Sequence, residues 1–382
     1  MSPALGIYIH WPFCARICPY CDFNVYRHRG REDQGASLKT AILKDLETQA
    51  ASLGPRTLVS VFFGGGTPSL MAPEWVAEII ETCQGQWPGA SNLEVTLEAN
   101  PTDAEAAKFQ AFQGAGVNRL SLGLQALNDQ DLKVLGRDHT AEEGQRAAQL
   151  AASIFPRLSI DLIYARPNQT VDMWAAELDA ALKLGAQHIS PYQLTIEAGT
   201  AFERAVGRGR LTPPGPDLAA DLYEATQDIL CQAGFEAYEV SNHARGADHQ
   251  SRHNLVYWQG EDYLGIGPGA HGRITRGGAR QATIAALTPK AYIERVGLTG
   301  LGVAESESLS PIAMAEERLL SGLRIVQGVA YSDLAALDLH PHSAEVRALT
   351  DSGLLVPDPD RLRATPAGRL VLNWLTGRLA LA

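Results

Sequence analysis

Three cysteines fall within eight residues in the stretch PFCARICPYCDF, residues 12–23, of a chain that has only five in all. Cys14, Cys18 and Cys21 follow a C-x3-C-x2-C spacing, which keeps three soft ligands on one tight loop and suits either an iron–sulfur cluster or a zinc ion. Structural zinc takes four protein ligands, and Asp22, His10 and His28 are the nearby candidates for the fourth. Three thiolates on a cubane of four irons would instead leave one iron open to a small chelating molecule.

Six β-rich runs, GIYIHW, TLVSVFF, NLEVTLE, RLSLGLQ, RLSIDLIY and HISPYQLTI, alternate with helical stretches such as 37–53 and 73–84 up to about Thr200. That order predicts βαβ units and a parallel sheet. Six units predict a barrel or part of one, with functional residues where the strands end and their loops begin. After a Gly/Pro-rich connection, GRGRLTPPGPD, a helix to about Gly234 and a strand, EAYEV, read as an extension packed on the first unit. A looser stretch, GLTGLGVAESES, ends near Ser308 and reads as a boundary. The remainder reads as three helices, a strand, a turn, a strand and a last helix, with YSDLAAL and GRLVLNWLTGRL both helical, which is a winged-helix-like order. The expected division is 1–205, 206–300 and 301–382.

The formal net charge of −11 argues against a broad footprint on nucleic acid or anionic lipid. From Pro311 to Ala382, seven Lys or Arg oppose eight Asp or Glu, so the C-terminal module lacks the positive surplus of a DNA reader and reads as a packing or partner module. The opening MSPALGIYIHW has no basic stretch followed by a long apolar one, and no run of about 18 apolar residues occurs. No transmembrane segment is expected, and the expected compartment is the cytoplasm. Thiols stay reduced there, so clustered cysteines point to metal or redox chemistry rather than disulfides.

The loops after the strands carry the other candidates. FFGGGTPS, residues 62–69, places three glycines where a ligand can approach the backbone closely, and no GK[ST] follows that would make it a phosphate loop. Glu98 ends the third run, where a carboxylate can accept from ribose hydroxyls. Gln125 ends the fourth, Arg137 lies in LGRDH and Asp161 in SIDLIY. Singly, each reads as a surface or structural residue; together they put polar groups at the mouth of one sheet. An open iron position suits S-adenosylmethionine, which chelates through its amino and carboxylate groups and whose sulfonium bond an electron from the cluster can break, while the protein positions and shields it.

The segments YIHWPFCARICPYCDF, FFGGGTPS, LEANP, GVNRLSLGLQALND, LGRDH, DLIYARPNQT, YQLTIEAGT, YEVSN, SRHNLVYW and GIGPGAHGR closely resemble radical S-adenosylmethionine proteins of the oxygen-independent coproporphyrinogen III oxidase group. The resemblance runs on through the C-terminal module. It implies an α/β fold built on a partial (β/α)6 barrel, a [4Fe-4S] cluster on Cys14, Cys18 and Cys21, and an electron donor for that cluster. It also implies contacts to S-adenosylmethionine from Tyr8, Tyr20, Gly65, Gly66, Thr67, Glu98, Gln125, Arg137 and Asp161.

Two branches of that group compete. The dehydrogenase that decarboxylates coproporphyrinogen III usually has a longer N-terminal extension and a further cysteine two residues after the third; here that position is Phe23, and thirteen residues precede Cys14. The heme-chaperone branch lacks both features and carries an HNxxYW motif, present here as His253, Asn254, Tyr257 and Trp258. A neutral imidazole can ligate heme iron and two aromatics can flank the macrocycle, although a core histidine with packed aromatics would read the same. Four of the ten histidines, His243, His249, His253 and His271, fall within 29 residues here. The resemblance implies a protein that binds heme as cargo through this segment and hands it to an acceptor protein. The dehydrogenase is the alternative, and a radical methyltransferase or heme-degrading relative is a third reading.

Departures from the group's pattern are Arg166 and Asn168 in DLIYARPNQT and His243 in SNHA. Arg166 reads as a solvated loop residue or as the partner of a propionate. Cys83 and Cys231 fall on apolar faces of expected helices and read as structural.

Overall fold

The computed structural model describes residues 2–27 and 32–381. Its frame is six parallel strands: β1 (Ala4–Trp11), β2 (Thr57–Gly65), β3 (Gly89–Ala99), β4 (Arg119–Gln125), β5 (Arg157–Tyr164) and β6 (His188–Gln193). Each pairs with the next in chain order. One face of each strand is an alternating apolar set, Leu5, Ile7 and Ile9 in β1 or Leu120, Leu122 and Leu124 in β4, all fully buried. Helices cover the outside. Helix 141–154 shows how the sequence starts one: the Thr140 hydroxyl accepts from the Glu143 amide while the Glu143 carboxylate accepts from the Thr140 amide.

The barrel stays open. Beyond β6 the sheet continues with His243–Ala244 and Glu236–Ala237, both antiparallel. Beyond β1 lies β7 (Asp262–Ile266), parallel to it, followed by an antiparallel meander of β8 (His271–Arg276), β9 (Ala279–Ala285) and β10 (Val303–Ser308). Between these two flanks, the seven-residue helix Arg252–Trp258 packs on β1, β2 and β7.

The C-terminal module has its own core of Leu319, Leu323, Val329, Leu334, Val346, Leu349, Leu362 and Leu375. A two-stranded sheet of Val329–Ala330 and Arg361–Leu362 is surrounded by helices Pro311–Gly322, Ala344–Asp351 and Leu372–Ala380. Glu239 forms a β-bridge with Ile325, stitching this module to the first.

Several expectations need correction. YSDLAAL is a 3-10 helix, and GRLVLNWLTGRL breaks at Val371, whose ψ of 29° leaves the α-helical range. EAYEV keeps only two strand residues, Glu236–Ala237. The looser stretch before Ser308 contains strand β10, which joins the barrel's sheet; five of its six residues are exposed, so it lacks the apolar alternation that marks a strand. Cys83 is buried as expected, but Cys231 is exposed. Arg166 is neither solvated nor available to a propionate: it is buried, forks onto the Glu177 carboxylate and pairs with Asp131 at 3.0 Å.

Candidate functional site

The cysteine loop leaves the end of β1 and is clamped by the glycine loop at the end of β2. Gly66 donates to the Trp11 carbonyl at 2.7 Å and Thr67 to that of Phe13 at 2.9 Å. A Cβ on Gly66 would lie 2.7 Å from the Phe13 carbonyl oxygen, and one on Gly65, where φ is +108°, would lie 2.4 Å from the His10 ring. The glycines are therefore required by the chain's own close approach at this point. On the far side, Gly136 lets Pro19 pack against the turn before Arg137, and Phe202 donates its amide to the Pro19 carbonyl at 3.0 Å.

This clamp opens the three thiols onto one cavity of about 460 Å³ at the C-terminal ends of the strands. Its wall includes Cys14, Cys18, Cys21, Tyr20, Gly65, Gly66, Thr67, Glu98, Gln125, Arg137 and Asp161, so all but one of the residues implied for the cluster and S-adenosylmethionine meet here. The exception is Tyr8. It lies inside the barrel behind Gly64, and its hydroxyl hydrogen-bonds Nδ1 of His10 at 3.0 Å.

The candidates for a fourth ligand separate as well. His10 has its other nitrogen on the Asn24 carbonyl at 2.9 Å, so both ring nitrogens are engaged. Asp22 lines the cavity. His28 lies outside the described residues.

Charge at this mouth is mixed and held in place. Arg137 donates to the Cys18 sulfur at 3.4 Å, to the Gly123 carbonyl at 2.9 Å and to the Asn100 side chain, while its buried Nε has no partner. Burial pushes the Cys14 thiol up to about 11, so the thiolate becomes the favoured form only when a metal's charge compensates. Glu98 accepts from the Gly65 amide at 3.1 Å, yet burial first and the Asp161 charge second push its carboxyl up to about 8. Burial also raises Asp161, against hydrogen bonds from serine hydroxyls that include Ser121 at 2.9 Å. Gln125 has φ of +67°, a conformation costing about 1–3 kcal/mol for a non-glycine residue, which places strain at the cavity wall. Sequence reasoning missed Asn100, which bridges Thr67 and Arg137. Its only signal is the Asn-Pro step just past Glu98.

The HNxxYW segment lies at the opposite end of the barrel. Helix 252–258 caps the N-terminal ends of the strands: the buried Glu94 carboxylate accepts from the amides of Arg252 at 3.1 Å and His253 at 3.0 Å and pairs with Arg157 at 2.8 Å. His253 points inward. Its Nδ1 bonds Ser60 Oγ at 2.9 Å, its Nε2 bonds the Tyr257 hydroxyl at 2.6 Å, and its ring stacks on Phe62 at 4.9 Å. Burial and then the Arg119 charge lower its pKa to about 3, so it is neutral at physiological pH. Both nitrogens are engaged here, and His253 sits as a floor residue of the barrel. Asn254 uses its amide in the Ser251 cap. Tyr257 and Trp258 instead border a second cavity, of about 910 Å³, between this helix and the C-terminal module. Of the other clustered histidines, His243 is buried against Gln227, His249 is half-buried and His271 is exposed.

Comparison with known proteins matches two separate stretches of the chain. The radical SAM superfamily profile matches residues 8–181, and that of the HemN C-terminal domain matches 309–371. "Radical S-adenosyl methionine domain-containing protein 1, mitochondrial" of Bos taurus is 41% identical over 98% of this chain and 88% of its own length. "Heme chaperone HemW" of Escherichia coli (strain K12) is 35% identical over 98% of this chain and 97% of its own, and that of Mycobacterium tuberculosis is 37% identical over 96% and 93%. Among solved structures, coproporphyrinogen III oxidase (HemN) from Escherichia coli superposes with a TM-score of 0.81 over 99% of this chain and 90% of that one at 20% identity, a likeness of fold.

Proposed function

The chain belongs to the radical SAM superfamily, and from that premise we propose that it is a heme chaperone: it binds heme and passes it to an acceptor protein, while carrying a [4Fe-4S] cluster with exchangeable S-adenosylmethionine. The observation that carries the reading is identity of 35–37% over 96–98% of the chain to proteins named heme chaperone. The oxidase offers only a likeness of fold.

The mouth fits the two cofactors. Three thiols share one cavity, and an arginine donates to one of the sulfurs. Cys14, Cys18 and Cys21 would hold the cluster, with Tyr20, Gly65, Gly66, Thr67, Glu98, Gln125, Arg137 and Asp161 around S-adenosylmethionine. When bound, the pair supplies one-electron cleavage of a sulfonium. The chain's own part is positional. Arg137 sets the charge beside Cys18, the two carboxyls offer acceptors to hydroxyl or ammonium groups, and the glycine clamp fixes the cysteine loop.

None of the helices among the described residues is long and apolar enough to cross a membrane. The animal relatives are named as mitochondrial, so family membership fixes no compartment. Anaerobic reconstitution followed by titration with hemin, transfer to an apo-hemoprotein and incubation with coproporphyrinogen III tests the proposal. Stoichiometric heme capture and transfer without turnover is expected. Formation of protoporphyrinogen would overturn it in favour of the dehydrogenase.

A further inference from the structure

The three thiols share one loop, and the barrel's own contacts grip its first half: the carbonyls of Trp11 and Phe13 accept from the glycine loop and that of Pro19 from Phe202. Cys21 lies on the second half. Asp22 and Phe23, which follow it, are both exposed, Phe23 by 65%, so apolar packing does not fix this end of the loop. We infer that Asn24 is the positioning residue for Cys21: it pins the end of the loop to two turns of the extension beyond β7, so that the third thiolate stays in register with the other two. The inference rests on the cluster reading.

Three hydrogen bonds converge on Asn24. Its side-chain nitrogen donates to the Pro268 carbonyl at 3.0 Å and to the Leu287 carbonyl at 2.8 Å, and its own carbonyl accepts from Nε2 of His10 at 2.9 Å. A carbonyl only accepts, so Nε2 carries the His10 proton and Nδ1 accepts from the Tyr8 hydroxyl. The receiving turn between β7 and β8 is shaped for these groups. A Cβ on Gly269, at φ of +73°, would lie 2.5 Å from the Asn24 side-chain nitrogen, and one on Gly267, at φ of +109°, would lie 2.4 Å from the His10 carbonyl oxygen. Both turns are anchored in the core. The Tyr292 hydroxyl accepts from the Gly267 amide at 3.1 Å and donates to the buried Asp45 carboxylate at 2.7 Å. The Gly302 amide donates to the same carboxylate at 2.9 Å, while the Gly302 carbonyl accepts from Ala286, next to Leu287, at 3.0 Å. The two carbonyls that take Asn24 therefore hang from one buried group.

The chemistry of the pin demands an amide. Two carbonyl oxygens face the side-chain nitrogen, and only a group with two N–H donors satisfies both. A carboxylate of the same shape would turn lone pairs toward them. Linkage adds a second consequence. A cluster that holds Cys21 in place favours the seated Asn24, so loading the cluster stiffens the turns at 267–270 and 286–288, and seating Asn24 favours the cluster by the same factor.

Iron release from the anaerobically reconstituted full-length protein to a ferrous chelator tests the pin, with the melting temperature of the cluster-free form as the control for folding. Asn24→Ala should release iron about tenfold faster than the wild type, as loss of two hydrogen bonds requires. Asn24→Asp should be faster still. Gly269→Ala, which drives a methyl against Asn24, should also speed release, and its effect should vanish in the Asn24→Ala background. Hydrogen exchange at the two turns should slow when the wild type is loaded with the cluster, and should not slow when Asn24→Ala is loaded. An Asn24→Asp protein that keeps its iron as the wild type does makes Asn24 a space-filler and overturns the inference, as do additive effects of Asn24→Ala and Gly269→Ala. Where Asn24→Asp fails to fold, hydrogen exchange in the wild type decides: turns equally protected with and without the cluster overturn it. A wild type that assembles no labile sulfide overturns the cluster reading as well.

Discussion

At the C-terminal ends of β2 to β5 the chain accepts strain, with Gln125 in the left-handed region, a buried Arg137 nitrogen without a partner and two carboxyls pushed up by burial. At the N-terminal ends of the same strands Glu94 is saturated by two helix amides and Arg157, and both nitrogens of His253 and of His188 are bonded. One end is left unfinished in ways that a ligand could complete; the other is closed by the chain's own groups. In (β/α) barrels the C-terminal end carries chemistry and the other carries stability, and this open barrel keeps that division. The HNxxYW signature sits on the finished end, where its histidine is packed inward, Tyr257 bonds that histidine and Trp258 borders the second cavity.

Four measurements can break or sharpen this contrast. The largest effect belongs to the mouth: Cys14→Ala, Cys18→Ala or Cys21→Ala should each abolish most reconstituted iron and labile sulfide, while Cys83→Ala and Cys231→Ala keep both. Equal loss from Cys83→Ala would remove the cluster from this loop. Next comes the floor, where His253→Ala leaves Ser60 and Tyr257 unpaired around a hole and should cost about 2–4 kcal/mol in denaturant unfolding. Cluster content per folded chain should not change; its loss would mean that the two ends are not independent.

At the mouth again, Glu98→Ala should weaken S-adenosylmethionine binding roughly ten- to 150-fold when titrated above about pH 8, where the carboxylate is ionised, equivalent to about 1.5–3 kcal/mol for a charged hydrogen bond. An unchanged isotherm takes Glu98 out of the site. The smallest effect is in pH, and the two ends carry opposite signs. The lowered pKa of His253 contributes stability that is present above about 6.5 and lost as pH falls toward about 3. The raised pKa of Glu98 contributes stability that is present below about 4.5 and lost as pH rises through about 8. Melting temperatures of the cluster-free protein should fall at both extremes. His253→Gln should flatten the acid limb and Glu98→Gln the alkaline one; a variant that flattens the wrong limb refutes the assignment of that group.

The strands and the mouth were legible because their signals are local: long β-rich runs, a cysteine spacing, and glycines next to a strand end. What the sequence hid depends on partners far along the chain. Arg166 is neutralised by Asp131 and Glu177, neither of which marks it as buried in advance. The facing of helix 252–258 is decided by Ser60 and Glu94, more than 150 residues upstream. A seven-residue helix with three aromatic or imidazole rings has no apolar stripe that orients it. The glycine triplet was noticed for a ligand's approach, while the structure shows that it also accommodates the neighbouring cysteine loop.

Strand β10 ends the sheet with one side unpaired, and an open barrel would be vulnerable there to pairing with another copy of itself. Its exposed residues read Ala304, Glu305, Ser306, Glu307 and Ser308, with no bulky apolar side chain among them. Two such edges meeting would bring four carboxylates together across a ladder with nothing to bury. The same polarity that hid this strand from sequence reading thus guards against fibre-like growth, letting the sheet stay open without becoming a template.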